Sequence, residues 1–498
     1  MPENLRRAHI PQLTFIISRF PLFVKDIFIF PPDRGSRLLF PGPSTIMVLL
    51  YFVEREICVA VDLSQGSITR HLIRFTIPLI LGNLFQLTYN AVDSIIIGRF
   101  AGDDALAAVG TADPVMNLMI LGITGLCIGS SALMSNFYGA GDREALRKEM
   151  GTSLVLVGGA SLLILFVGVF FSGAILRLMQ TPEAIFSDAR TYLRLILMGM
   201  PFTCLYNVYA ASLRSVGDSK IPLYFLAGAS VLNGVLDVLL IGLFRWGVFG
   251  AALATVIAEG ASALACVAYV YQRVPLLHLD AAAFRPDRDL AKQTLQFGGT
   301  TALQQVSQPL GKVFIQGMVN TLGVEAMAAF NAVGKIEDFA LVPERSISYA
   351  MMTFSAQNDG AGRKDRVRAG FQKGLLLETC YGLFISVVMF FFHSPMVSLF
   401  STEAETLARG SEYFTVMAFF YLLPAYTNGV QGLFRGMRHM QITLYCSILQ
   451  ISVRVLVTYL LIPRIGITGI AYACAAGWVC MQCLQWSYYF LRLRKELV

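Results

Sequence analysis

Apolar residues fill this chain in long blocks, without the alternation of a half-buried strand or the three-to-four spacing of a surface helix. Crossing about 30 Å of hydrocarbon takes roughly 20 residues. Blocks of that order lie near 72–97, 106–138, 150–173, 191–213, 221–243 and 247–271, and again near 294–320, 327–356, 370–397, 412–433, 440–462 and 468–491. The pattern predicts an all-α polytopic membrane protein of twelve transmembrane helices, six in each half. Internal Pro and Gly do not argue against this, because neighbouring helices re-satisfy the freed backbone groups.

The two halves repeat each other. Gly102-Asp103-Asp104-Ala105-Leu106-Ala107-Ala108 returns as Gly323-Val324-Glu325-Ala326-Met327-Ala328-Ala329, and Gly139-Ala140-Gly141-Asp142-Arg143 as Gly360-Ala361-Gly362-Arg363-Lys364, both at an offset of 221 (323−102 and 360−139). Asn207 then aligns with Asn428 and Arg214 with Arg435 in the same register. A duplicated helical bundle is a common plan of secondary transporters, with the substrate site between the repeats. The expected organisation is an atypical N-terminal extension over 1–61, an N-lobe over 62–271, a cytoplasmic connecting loop over 272–293 and a C-lobe over 294–498.

The first sixty residues do not follow the plan. Pro11 to Phe30 is interrupted by Arg19, Pro21, Lys25 and Asp26, and Thr45 to Val53 is too short to span. This segment is expected to lie outside the fold, as an extension or as upstream sequence joined by a misassigned start, with a natural beginning near Asp62.

Composition agrees with the membrane reading: 55% of residues are hydrophobic and 14% charged, against about 25% charged in soluble chains. The net charge of +7 does not point to nucleic acid, because the basic residues sit in short clusters between apolar runs. Arg143-Arg147-Lys148, Arg273-Arg285-Arg288-Lys292, Arg363-Lys364-Arg366-Arg368 and Arg492-Arg494-Lys495 fall on one side of a twelve-span layout. The positive-inside rule then places both termini in the cytoplasm of a multi-pass inner-membrane protein. An even number of spans per repeat gives both halves the same orientation, related by an axis along the membrane normal.

Candidate chemistry comes from ionisable groups within the blocks, each costing about 2.5 to 3.5 kcal/mol on insertion scales. Gln86, Asn90 and Asp93 are spaced i, i+4 and i+7, which puts two amides and a carboxyl on one helix face. Asn233 precedes Asp237 by one turn among apolar neighbours, so this pair needs a polar cavity or a partner helix. The second half differs: at offset 221, Asp93 meets Phe314, Asn233 meets Arg454 and Asp237 meets Thr458. Its eighth helix carries Asn331, Lys335 and Asp338 at i, i+4 and i+7, with Glu337, Glu344 and Arg345 nearby. Together with Lys312 and Arg454 these read as paired charges closing a cavity, or as a further transport site.

Pro78-Leu79-Ile80-Leu81-Gly82-Asn83, Gln86, Tyr89-Asn90, Asp93, Ile97-Gly98-Arg99 and Ala105-Leu106-Ala107-Ala108-Val109-Gly110 resemble the opening of the multidrug and toxic compound extrusion (MATE) family, of the DinF and MepA-like prokaryotic type. Tyr138-Gly139-Ala140-Gly141-Asp142 and Gln357-Asn358-Asp359-Gly360-Ala361-Gly362 carry the same resemblance. It implies two six-helix lobes around a V-shaped cavity, and export of cationic amphiphiles against inward protons or sodium. It further implies an N-lobe cation site at Asp93, Asn233, Asp237 and Thr255, a helix bend at Pro78, and a fourth-helix tyrosine for which Tyr192, Tyr206 and Tyr209 compete. Gln86, Asn90, Tyr206, Gln304, Gln308 and Asn331 are the candidate cavity residues.

The expected protein is therefore not an enzyme. It is a monomer working in the lipid bilayer on small amphiphilic substrates, with no nucleic-acid partner and no cofactor beyond the transported H+ or Na+. No phosphate-binding Gly-rich loop with Lys is present, and the Cys480-Cys483 pair lacks a second pair or nearby His, so ATP hydrolysis and a metal centre are not expected. Two rivals remain. Lys312, Lys335 and Arg454 would suit a lipid-linked saccharide flippase, and a non-transporting scaffold or sensor would have no use for acids at matched depth.

Overall fold

The computed structural model describes residues 61–497 apart from 282, 286 and 402, so the readings of residues 1–60 lie outside the described residues. The first lobe runs through α1 (Ile68–Phe100), α2 (Asp103–Gly139), α3 (Arg143–Leu178), α4 (Glu183–Ser215), α5 (Lys220–Asp237, continued by a wider π turn over Val238–Leu243) and α6 (Gly247–Arg273). The second runs through α7 (Arg288–Val319), α8 (Val324–Ala340), α9 (Val342–Gly360), α10 (Lys364–Ser398), α11 (Ala404–Met417), α12 (Leu422–Gly436), α13 (Met440–Ile465) and α14 (Thr468–Tyr488). Of these, α1 to α6, α10 and α13 are each long and apolar enough to cross a membrane alone. Helices dominate because a chain in hydrocarbon must satisfy its backbone within each segment. Phe166, Phe170 and Phe391 stand 70%, 78% and 68% exposed on the outside, a surface suited to lipid and not to water.

The eighth and tenth crossings, expected as single helices, are each broken in two. Pro343 lacks the amide that would continue the ladder and instead takes a first-turn place in α9. Pro424 likewise cannot donate to Phe420, so the Phe420 carbonyl accepts from the Leu423 amide at 2.8 Å and the chain tightens before α12. The eighth crossing is thus α8 with α9, and the tenth is α11 with α12.

The repeated glycines have local work to do. Gly102 and Gly323 have φ of 93° and 95°, and Gly141 and Gly362 have φ of 74° and 69°, so each pair lets the chain re-enter a helix through the same left-handed turn. Asp142 caps α3 by accepting from the Ala145 amide at 2.9 Å. In the connecting loop, Asp287 caps α7, accepting from the Asp289 and Leu290 amides at 2.8 and 3.2 Å, and those N–H groups hold its carboxyl below the usual range.

The lobes meet at the end that carries the 139–143 and 360–364 turns. A Cβ on Gly139 would fall 1.9 Å from the Gln357 carbonyl oxygen, and one on Gly360 would fall 1.9 Å from that of Asn136. Asn136 and Gln357 are themselves a repeat pair (357−136 = 221), so the contact is one motif used twice about a pseudo-twofold axis. Further along the same seam, Gly125 and Gly129 of α2 lie against Ala302 and Gly298 of α7. The segment leading into α1 and its early turns reach into the other lobe: Leu63, Leu72 and Phe75 share a core with Met351, Phe354, Val430 and Phe434. Val61 is also engaged, donating its amide to the Val216 carbonyl at 3.0 Å. Gln357 of the second lobe holds two points of the first, since its Oε1 accepts from the Leu63 amide at 3.0 Å while its Nε2 donates to the Ser215 carbonyl at 2.7 Å.

Candidate functional site

The N-lobe acids come together deep in the bundle. Asp93 of α1 is 9% exposed and Asp237 at the end of α5 is fully buried, and the two lie close enough for each to feel the other's charge. Asn233 Nδ2 donates to Thr255 Oγ1 at 3.2 Å, joining α5 to α6, while Thr255 donates back to the Ala251 carbonyl at 3.1 Å. The four residues expected to form a site are thus gathered from three helices. Asp93 Oδ1, Asn233 Oδ1 and both Asp237 carboxyl oxygens are buried without a protein hydrogen-bond partner. Such oxygens are costly unless something binds them, and an all-oxygen set suits a proton or a small hard cation. Among the described residues no group of three or more His, Cys, Asp and Glu side chains could hold a metal ion.

Sequence reasoning missed part of the surroundings. Tyr89, one turn before Asp93, lies within reach of Asp93, Thr255, Glu259 and Asp237. Glu259, one turn after Thr255, takes a hydrogen bond from Thr203. The i±4 spacing from residues already singled out was the available signal. Of the competing tyrosines, Tyr192 senses Asp93, Asp113 and Asp237, whereas Tyr206 gives its hydroxyl to the Pro222 carbonyl at 2.9 Å. Tyr206, a candidate cavity residue, is half-buried and has its hydroxyl proton committed to this carbonyl. Pro78 lies inside the unbroken α1, where it removes one ladder bond.

Gln86 and Asn90 of α1, Gln308 of α7 and Asn331 and Lys335 of α8 are exposed although they sit within membrane-crossing segments. Amides and an ammonium at such depth are costly against lipid and call for polar surroundings. Lys335 of the second lobe is within electrostatic reach of Asp113 of the first, and Asp113 in turn of Asp93. Lys312 pairs with Asp338 at 3.3 Å, and Glu337 accepts from Tyr413 at 2.9 Å within reach of the half-buried Arg454. Of the charge cluster, Lys312 and Asp338 form an ion pair, while Glu337 and Arg454 are within electrostatic reach of each other. Glu344 is fully buried and its neighbour Arg345 is exposed.

Gln304 is also not a cavity residue. It is 2% exposed, donates to Gln431 at 2.6 Å and Ser447 at 2.8 Å, and accepts from Arg435 at 3.1 Å and Thr443 at 3.3 Å. Replacing it with Leu leaves the buried Arg435 only the Gln431 side-chain carbonyl, at 2.8 Å, and removes a partner of Ser447 and Thr443, which should cost about 1 to 3 kcal/mol. Thermal unfolding of the purified protein in detergent reads this as a lower Tm, and an unchanged Tm would refute the network's importance.

The model of the MatE family matches residues 78–239 and again 301–460, once in each lobe and together over more than half of the chain. The chain belongs to the MatE family. The probable multidrug resistance protein YoeA of Bacillus subtilis (strain 168) is 32% identical over 367 residues, covering 72% of this chain and 79% of its own. The probable multidrug resistance protein YpnP of the same strain is 29% identical, covering 86% and 96%. Among solved structures, a multidrug resistance MATE family transporter of the MOP superfamily in an outward-facing conformation superposes with a TM-score of 0.82 at 22% identity, over 88% of this chain and 98% of that one. The MATE fold of twelve spans in two lobes is thereby established for this chain, which is a multi-pass membrane transporter.

Proposed function

We propose that this MATE protein exports lipophilic cations by antiport with protons or sodium, coupled at Asp93 and Asp237. The observation that carries the reading is the unpartnered carboxyl pair itself: two acids on separate helices, facing each other, with three of their oxygens unsatisfied by protein. Desolvation penalises two charges that lack a counter-ion, so binding of one proton, one sodium ion or a cationic substrate relieves the site. If the site holds only one of them, inward cation movement and outward substrate movement are linked by competition. The names of YoeA and YpnP support the substrate class.

The basic clusters around Arg143 and Arg363 flank the end where the lobes touch, and the positive-inside rule supports a cytoplasmic location for that end. On that orientation the conformation is sealed to the cytoplasm and open outward. Efflux of a fluorescent lipophilic cation from proteoliposomes tests the reading. An imposed proton or sodium gradient should accelerate dye movement over protein-free vesicles, and whichever gradient works names the ion. Verified, folded protein that responds to neither would transfer the assignment to the lipid-linked saccharide flippase favoured by Lys312, Lys335 and Arg454.

A further inference from the structure

The second lobe lacks counterparts of Asp93 and Asp237, yet it holds a different buried acid pair. Glu344 in the first turn of α9 and Glu378 in the middle of α10 are both fully buried, and Glu378 is within electrostatic reach of Glu344. Glu344 Oε2 accepts from Asn428 Nδ2 at 3.4 Å, but Glu344 Oε1, both oxygens of Glu378 and the hydroxyl of the fully buried Tyr421 have no protein partner. The titratable and charged groups around the pair are Arg345 on α9, Tyr381 on α10, Tyr421 in the break before α12 and, beyond it, Glu337 on α8. Tyr381 is committed to the Ala340 carbonyl at 2.8 Å. Arg345 is exposed and acts on Glu344 at a distance; among the described residues no salt bridge reaches either acid.

The pair also sits where both second-lobe crossings are broken. Glu344 lies just past the Leu341 break, and Tyr421 is the last residue of the turn between α11 and α12. Interrupted helices present free carbonyl ends, and transporters hold coupling cations at such ends. The internal repeat adds an independent argument. At offset 221, Glu344 corresponds to Ile123 and Glu378 to Val157, each 1% exposed in the first lobe. The first lobe therefore fills the equivalent repeat positions with buried apolar side chains, so the acids are a departure peculiar to the second lobe.

We propose that Glu344 and Glu378, with Tyr421 and Asn428, form a second-lobe binding site for one small monovalent cation, a proton or a sodium ion. Two carboxylates in one dry site share a single positive charge more readily than they bear two negative ones. Asn83 of α1 donates to Ser346 at 3.3 Å, two residues beyond Glu344, so the site adjoins the seam between the lobes and its occupancy can bias their separation. The site's role in the cycle rests on the antiport reading above; its cation binding does not.

The test uses the full-length protein carrying Asp93→Asn and Asp237→Asn, with and without Glu344→Ile and Glu378→Val, the side chains the first lobe already accommodates. Proton uptake on an alkaline-to-acid jump and radioactive sodium binding at alkaline pH are measured on both. Loss of about one bound proton or one sodium ion with the second pair of substitutions supports the site and identifies its cation. Equal proton uptake and equal sodium binding in the two proteins overturn it. Should the apolar pair fail to fold, Glu344→Gln with Glu378→Gln is read by the same criterion. Coupled efflux surviving Asp93→Asn and Asp237→Asn would instead overturn the first-lobe reading, a result independent of these binding counts.

Discussion

Asp237→Asn is expected to reduce gradient-driven dye efflux to the leak of protein-free vesicles, and Asp93→Asn to do the same. Both carboxyls are buried and neither has a cation beside it, so the substitution removes the only charge at its position that a coupling ion can neutralise. A membrane potential supplies about 2.3 kcal/mol per charge per 100 mV, and none of it reaches the substrate if the ion finds no site. Fold is checked separately. Asp237 has no hydrogen-bond partner other than Asp93, and an amide at position 237 can still donate to the Asp93 carboxylate, so Tm should hold. Retention of ion-driven efflux in folded Asp237→Asn protein would sink coupling at this site.

The second large effect is expected at the touching end of the lobes. Any side chain at Gly139 or Gly360 meets a backbone carbonyl 1.9 Å from its Cβ, and backbone cannot rotate aside as a side chain can. Gly139→Val should therefore force the lobes apart, at about 1 to 3 kcal/mol against the sealed state, a shift of about 5- to 150-fold in the balance of conformers. Spin labels on Asp142→Cys and Arg363→Cys, both exposed, would report the change as a longer distance population. Gly360→Val should give the same shift, because its contact is the repeat image of the first. An unaltered distance distribution in either folded variant contradicts this account of the seal.

Much of this was legible in the sequence because membrane insertion makes strong demands on it. Twelve apolar blocks and two copies of a glycine turn pointed to the lobes, acids where hydrocarbon penalises them pointed to Asp93 and Asp237, and the family resemblance joined Asn233 and Thr255 to them. What escaped depended on direction. Glu344 beside Arg345 suggests a charge pair on paper, but adjacent residues point about 100° apart on a helix, and here one is buried and the other exposed. Gln304 was indistinguishable from a cavity amide until α12 and α13 brought Arg435 and Thr443 to it. The breaks at Pro343 and Pro424 were visible as prolines, yet a proline alone does not say whether a membrane helix bends or divides.

The paired glycine contact bears on how such a molecule could arise. A contact in which Asn136 faces Gly360 and Gln357 faces Gly139 is self-complementary, so a single six-helix chain would meet a second copy of itself through it. Fusing two genes would add no new interface. It would free the copies to drift apart in chemistry while the clasp stayed shared, one keeping Asp93 and Asp237 where the other has Phe314 and Thr458, the other gaining Glu344 and Glu378 where the first has Ile123 and Val157.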